Sequence, residues 1–196
     1  DLVWLKGRTI GENHAIHDAV RGTAGGHIRS DTTNAESVNE HKLEYGADGF
    51  NFIGGTPTSA PGHQQVNSSS YTYVAWNWKA NGSGSANNAG DLDATVSANT
   101  DAGFSIVKYV GNGTNGQTVA HGLSKAPEMI IFKTLETVKE WGVGHDDLTS
   151  GNWTKYLILN IASAEQTGGG VTNSVAPTST LFTVADNYNQ DTEDHI

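Results

Sequence analysis

Three side chains able to bind a metal or transfer a proton follow one another in the sequence: His145, Asp146 and Asp147. Carboxylate oxygens are preferred Ca²⁺ ligands, and a carboxyl group beside a histidine suits general acid–base chemistry. The alternative is a polar turn at the end of a strand. The corresponding stretch in the first half of the chain, Asp18–Val20, lacks the cluster, which favours the turn. We therefore predict no metal site and keep the three residues as candidate ligand contacts.

A second pair of histidines, His14 and His17, lies in the segment "HAIH". Successive side chains of a strand point to opposite faces, so two residues three positions apart lie on different faces. The two imidazoles are therefore not expected to bind one metal ion together.

Tryptophans are the strongest candidates for sugar contacts, because an indole ring can cover the apolar face of a pyranose. Trp76 and Trp78 share one face of a predicted strand, and such pairs also pack in protein cores. We expect this pair to lie in the core, with Trp78 retained as a candidate ligand contact. Trp153 lies in the polar turn "SGNWTK" and is predicted to be exposed, which makes it the best single candidate.

Catalytic signatures are absent from the sequence: it contains no G-x-S-x-G, phosphate-binding loop or H-E-x-x-H. The glycine spacing of "GNGTNG" (Gly111–Gly116) lies in a predicted turn and opens no predicted helix, so it is not a dinucleotide fingerprint. A glycan depolymerase would need two carboxyl groups roughly 5–10 Å apart. Asp146, Asp147 and Glu165 offer no convincing pair, so this activity is the least favoured alternative. We predict a protein that is not an enzyme and uses no cofactor.

Composition favours an all-β protein. Of 196 residues, 36% are hydrophobic, 16% are charged and 24 are glycine, which suits short strands joined by many turns. The net charge of −10 argues against binding to nucleic acid or to anionic membranes. No apolar run approaches the ~20 residues that a membrane-spanning helix needs, so no membrane insertion is expected. The absence of cysteine suits assembly in a reducing cytoplasm.

Period-2 alternation bounded by Gly, Asn and Pro predicts strands along most of the chain. One short helical turn is predicted within Thr33–Leu43, and two Asn-Gly pairs in Gly111–Gly116 favour a tight hairpin turn. The predicted strands are Leu2–Lys6, His14–Asp18, Tyr71–Lys79, Gly103–Val110, Glu128–Lys133, Trp141–His145, Lys155–Asn160 and Thr180–Val184.

The sequence also predicts an internal repeat. One constant offset places Leu2–Lys6 on Met129–Lys133 and His14–Asp18 on Trp141–His145. Residues 1–79 are then the C-terminal part of a first β-sandwich unit, and 103–196 are a second unit that is incomplete at its C-terminal end. Residues 80–102 have the Gly/Ser/Asn-rich composition of a flexible connector.

Three stretches carry a resemblance to a known family: "HGLSKAPEMIIFK", "GFSIVKYVGNGTNG" and "YVAWNWKANG". They resemble repeat units of phage tail-fibre and other virion proteins, and the similarity covers nearly the whole chain apart from the connector. The resemblance implies tandem antiparallel β-sandwiches of the lectin-like, jelly-roll type, located in the virion. It supplies no catalytic residues.

The combined expectation is a structural and binding module of a phage tail fibre that presents loops toward host-surface carbohydrate. The alternative is a capsid decoration or filament-forming protein without a ligand. The expected partners are further copies of the chain, as a homotrimer or filament, other virion proteins and a host glycan. Self-association is expected because the chain has few hydrophobic residues for its length and because it would cover exposed strand edges.

Overall fold

The computed structural model describes residues 1–23, 25–38, 40–53, 63–149, 151 and 153–196. Strands make up 38% of these residues and helices 3%, and each pair of neighbouring strands among them is antiparallel, so the predicted all-β, sandwich-type fold is confirmed. Among the helices of these residues, none has the length and apolar character to cross a bilayer.

The strands and short helices follow one another along the chain. They are β1 Leu2–Gly7, β2 Ala15–Asp18, β3 Lys42–Tyr45, β4 Phe50–Ile53, α1 His63–Val66, β5 Tyr73–Trp78, β6 Ser85–Asn87, β7 Ala94–Asn99, β8 Phe104–Val110, β9 Gln117–Ala120, β10 Met129–Phe132, β11 Gly142–His145, β12 Lys155–Ile158, β13 Gln166–Thr167, β14 Leu181–Val184, a 3₁₀ turn Asp186–Tyr188, and β15 Asp194–His195. All eight strands predicted from the sequence are present.

The strands form five sheets, with neighbours in the orders β2-β1-β5, β3-β4, β15-β8-β7-β6, β14-β9 and β10-β11-β12-β13. The predicted helical turn within Thr33–Leu43 is wrong: Ser37 forms a β-bridge with His27, and β3 begins at Lys42. A Cβ on Gly26 would collide with the Ser37 backbone, so only glycine allows this bridge. A backbone pairing requirement has overridden local helix propensity there.

The flexible connector predicted over residues 80–102 is also wrong, because this segment contains β6 and β7. Strand β7 pairs with β8 along its whole length, and Ala94 and Val96 are buried in the core. The buried side chains of Leu92, Ala94 and Val96 anchor this segment, and Ala98 packs against the same core. Tertiary packing has therefore ordered a segment whose composition is that of a linker.

The Gly111–Gly116 turn joins two different sheets rather than two strands of a hairpin. Gly113 and Gly116 have the predicted positive φ, 72° and 84°. The strands on either side, β8 and β9, belong to different sheets. The Asn-Gly pairs therefore predicted the positive φ angles correctly, but the prediction that this turn joins two paired strands is wrong.

The described part of the chain has two halves, residues 1–79 and 80–196. One hydrophobic core lies within each half, and a third lies between them. The first half packs Val3 and Leu5 of β1 against Leu43 and Val66. The second half packs a larger cluster between its sheets, and it comprises Leu92, Ala94, Val96, Tyr109, Val119, Phe132, Val171, Phe182, Val184 and Tyr188. The third cluster joins the halves, with Ile16 and Ile28 against Leu135 and Trp141.

Polar contacts reinforce the junction between the halves. The buried Lys133 ammonium donates to the Thr33 carbonyl at 3.3 Å and to the Lys139 carbonyl at 3.0 Å. Burial lowers the pKa of Lys133 to about 8. The two halves thus share both apolar packing and hydrogen bonds, so they are packed against each other rather than joined only by a flexible linker.

The registers of the two halves correspond at the positions that the sequence alignment pairs. Trp4 lies opposite Ile16, and Ile131 lies opposite Val143. The correspondence continues beyond these strands when an insertion of two residues in the second half is allowed for. The matching pairs are Ile16–Ile28 with Val143–Leu157, and His27–Ser37 with Tyr156–Gln166. Each half therefore contains one meander of equal register, and a tandem repeat of complete units stays a prediction.

Candidate functional site

A cleft of about 740 Å³ lies where the two halves meet. Its wall from the first half includes Trp4 and Trp78, and its wall from the second half includes Phe104, Met129 and Ile131. Both the volume and the mainly apolar lining are typical of small-molecule sites. Because side chains alternate between the two faces of β1, Val3 and Leu5 pack in the core of the first half, while Leu2 and Trp4 face the cleft.

Three aromatic side chains form a continuous wall at one edge of the cleft. The Trp78 ring stacks on Phe104 with centroids 6.3 Å apart and lies 6.4 Å from the ring of Trp4. The Trp4 indole N–H donates to His14 Nδ1 at 2.7 Å, which fixes the orientation of that ring. The wall is therefore held in place before any ligand arrives, which lowers the entropic cost of binding.

The expectation that Trp76 and Trp78 pack in the core is wrong. Trp76 is 45% exposed and Trp78 is 38% exposed. Their strand, β5, pairs with β1 and lies at the edge of its sheet, so the face carrying both indoles is only partly covered. Trp78 lines the cleft and Trp76 lies outside it, in edge contact with Trp4 at 6.2 Å.

Polar groups line the same cleft as this aromatic wall. Asp101, Ser105, Lys125 and Glu128 line the cleft alongside the apolar residues. These side chains supply both hydrogen-bond donors and acceptors. An indole face with such groups in the same cleft is suited to a hydroxyl-rich ligand, which needs one apolar surface and several hydrogen-bond partners.

The cluster His145, Asp146 and Asp147 lies where β11 ends, close to one end of the cleft. Met129 of the cleft wall pairs with His145, and the Asp146 amide donates to the Glu128 carbonyl at 3.0 Å. The Asp147 amide donates to His145 Nδ1 at 3.0 Å. That nitrogen then carries no proton to give Asp146, although the carboxylate lies 3.1 Å away. These contacts are those of a polar turn, the interpretation favoured from the sequence.

Glu165, the third carboxylate considered for catalysis, is already engaged. Its carboxylate lies 3.3 Å from the Lys155 ammonium and accepts from the Thr149 amide at 3.1 Å. A hydrogen bond from the Thr149 side chain is the largest effect on the pKa of Glu165 and lowers it. A carboxylate that stays ionised in this way is a poor general acid.

The prediction that Trp153 is exposed is wrong. Trp153 is 5% exposed, and its six-membered ring lies 2.7 Å from where a Cβ on Gly144 would stand. Its backbone has a φ of 61°, a left-handed conformation that turns the indole inward against β11. The polar neighbours in the sequence gave no sign of this reversal. Trp153 therefore packs in the interior, and the exposure that made it the best candidate for a ligand contact is absent.

A buried group of histidines was missed from the sequence. His17 Nε2 lies 3.0 Å from His41 Nδ1, and the rings of His27 and His41 stack with centroids 4.1 Å apart. Burial, followed by the neighbouring His41, lowers the pKa of both His17 and His27 to about 2, so both rings are neutral. His14, by contrast, turns to Trp4, as its opposite position on the strand predicts. The three residues come from separate segments, so no spacing pattern reveals the group.

Fold and cleft together define an all-β protein with an aromatic-lined cleft between its halves. The chain belongs to the family described as a domain of unknown function, DUF7483, whose model matches residues 1–196. That single match spans both halves and the segment between them. No curated protein and no solved structure matches the chain.

Proposed function

We propose that this chain is a structural and binding module of a phage virion appendage, and that its cleft binds host-surface carbohydrate. The observation that carries the binding part is the half-exposed Trp78, which is stacked on Phe104 at the wall of a cleft lined by polar side chains. The assignment to a virion rests on the resemblance of "HGLSKAPEMIIFK" and "YVAWNWKANG" to tail-fibre repeats.

Sugar binding follows from the chemistry of the wall. A pyranose presents C–H groups on one face, which pack on an indole, and hydroxyl groups around its rim, which bond to neighbouring polar groups. Glu128 and Asp101 can accept from hydroxyls, and Lys125 can donate to them. Single-site affinity of this kind is weak, and many copies on one particle compensate for it. No covalent step is part of this function, so the protein is proposed to act without catalysis or cofactor.

Substitution of Trp78 tests the binding site. We expect Trp78→Ala to weaken binding of a panel of neutral and acidic oligosaccharides at least about 10-fold, the effect of losing ~1.4 kcal/mol of stacking and burial. Isothermal titration calorimetry on the intact chain measures the change. Trp76→Ala is the matched control, because this residue lies on the same strand, is similarly exposed and does not line the cleft.

Equal loss in both variants would place the sugar along the outer face of β5 and contradict the cleft site. Binding of no oligosaccharide by the unaltered chain would remove the carbohydrate part of the proposal.

Self-association is the second candidate role, and the edge strand β5 favours it. This strand pairs with β1, and its last four residues, Ala75–Trp78, are exposed. An edge strand with two exposed indoles is a natural surface for a second copy. The Tyr73 hydroxyl is already used within the chain, since it donates to the Gln64 carbonyl at 2.6 Å. The two tryptophans rather than Tyr73 would therefore carry the contact.

We expect sedimentation velocity of the intact chain to show a trimer or larger assembly at both low and high salt. An apolar contact with few ion pairs is little affected by screening. Trp76→Lys introduces a charge at the exposed edge and is expected to give the monomer. A stable monomer of the unaltered chain at high micromolar concentration would contradict assembly and leave an independent binding module.

A further inference from the structure

We propose that His27, Glu40 and His41 form a binding site for a zinc-like divalent cation, which cross-links the middle of the segment between β2 and β3 to the end of that segment, just before β3. One ligand atom from each residue lies within 4.8 Å of the others, and His27 and His41 are buried. Two imidazoles and one carboxylate are a common protein ligand set for Zn²⁺. Ca²⁺ and Mg²⁺ are excluded by chemistry, since they prefer oxygen ligands.

The clearest sign is the state of the His27 ring. His27 is 0% exposed, and neither of its ring nitrogens has a hydrogen-bond partner among the described residues. Its Nε2 lies 3.4 Å from a Glu40 oxygen, outside hydrogen-bond geometry. A buried polar atom without a partner costs about 1–3 kcal/mol. A cation bound to that nitrogen would satisfy it.

The distances require only a modest contraction. Ligand atoms on a tetrahedral Zn²⁺ with bonds of about 2.0–2.1 Å lie roughly 3.4 Å apart. The Nε2 of His27 is already that far from Glu40, at 3.4 Å. A side-chain movement of His41 completes the set, because its ligand atom lies within 4.8 Å of the other two.

Neighbouring groups are placed to orient the ligands. Both Glu40 oxygens accept from Arg29, at 2.9 and 2.8 Å. The His41 ring has His17 on one nitrogen at 3.0 Å and Gln65 on the other at 3.3 Å. When one nitrogen of His41 binds the ion, the hydrogen bond at that nitrogen is lost. The hydrogen bond at the other nitrogen then holds the orientation of the ring. Such outer partners commonly set the orientation and basicity of metal ligands.

The local charge also suits a cation. The carboxylates of Asp18, Glu36 and Glu40 face the guanidinium groups of Arg21 and Arg29, which leaves one net negative charge around the neutral rings. The neutral state of His27 leaves a lone pair available to a metal, without competition from a proton.

A metal clip would have a clear structural role here. Among the described residues between β2 and β3, the regular pairings are the bridges of Ile28 with Ile16 and of His27 with Ser37. The chain contains no cysteine to staple it. Binding to the folded state alone stabilises it by mass action. The site therefore supplies to this thin-cored half what a disulfide supplies elsewhere.

Metal titration of the intact chain, stripped with EDTA, tests the site. We expect one Zn²⁺ per chain, a melting temperature raised by Zn²⁺ and not by Ca²⁺, and a tetrahedral Co²⁺ absorption spectrum. His27→Phe keeps the stacked ring and removes the ligand, and we expect it to weaken Zn²⁺ binding at least about 100-fold. Circular dichroism confirms that the variant is folded.

His145→Gln is the control, since it disrupts the exposed cluster of His145, Asp146 and Asp147 without touching the core. Full Zn²⁺ binding by this variant supports the proposal, even where His27→Phe does not fold. Loss of binding in His145→Gln, or no Zn²⁺ bound by the unaltered chain at tens of micromolar, overturns it.

Discussion

Trp141→Ala is expected to lower the free energy of unfolding by about 3–5 kcal/mol, the usual effect of removing a large buried aromatic side chain. Trp141 is 4% exposed and packs with Ile16, Ile28 and Leu135 in the core shared by the two halves. Its indole N–H also donates to the Arg29 carbonyl at 2.8 Å, and truncation leaves that acceptor without its partner. Urea denaturation measures the loss.

Trp141→Phe is the control that separates packing from hydrogen bonding. It retains most of the ring and loses only the N–H donor, so a smaller loss of about 1–2 kcal/mol is expected.

Because Trp141 belongs to the second half and Ile16 and Ile28 to the first, Trp141→Ala should also speed hydrogen exchange of the β2 amides. Unchanged β2 exchange, or a loss below about 1 kcal/mol, would show that the halves fold independently and would restore a flexible joint between them.

Arg21→Ala is expected to destabilise the first half by a similar amount, about 3–5 kcal/mol. The Arg21 side chain is 3% exposed and lies between the carboxylates of Asp18, which is 1% exposed, and Glu36. It also donates to the Ile16 carbonyl at 3.1 Å and to the Gly26 carbonyl at 3.3 Å. Truncation leaves a buried carboxylate without a counter-charge, which is the costly case for a buried ion pair.

Two further variants show whether the unpaired charge is the cause. The triple variant Asp18→Asn, Arg21→Met and Glu36→Gln keeps the volume and removes all three charges, so we expect it to recover much of the lost stability. Arg8→Ala removes an exposed arginine and should change the free energy of unfolding by less than about 0.5 kcal/mol. Thermal unfolding by circular dichroism provides the comparison. A triple variant as unstable as Arg21→Ala would mean that lost packing, rather than charge, dominates.

The candidate site illustrates why side-chain exposure was the hardest property to predict. Trp76 and Trp78 are exposed because β5 lies at a sheet edge, and edge position depends on which strands pair. Trp153 is buried because one residue with positive φ turns its ring inward. Neither fact follows from hydrophobic pattern, which records alternation along one strand and carries no information about neighbours.

The connector shows the same limit for backbone order. Residues 80–102 have linker composition, and β7 is nevertheless a central strand between β6 and β8. Its pairing partner β8 supplies the hydrogen bonds, and the packing of Leu92 and Val96 supplies the burial that local composition lacks.

The sequence alone determined the β class of this protein, the position of eight strands and the register shared by its two meanders, because each depends on alternation and turn residues within short segments. Tertiary structure alone decided the edge position of β5, the cleft between the halves and the meeting of His17, His27 and His41. These features join residues from distant segments, and their contacts arise only when the sheets pack against one another.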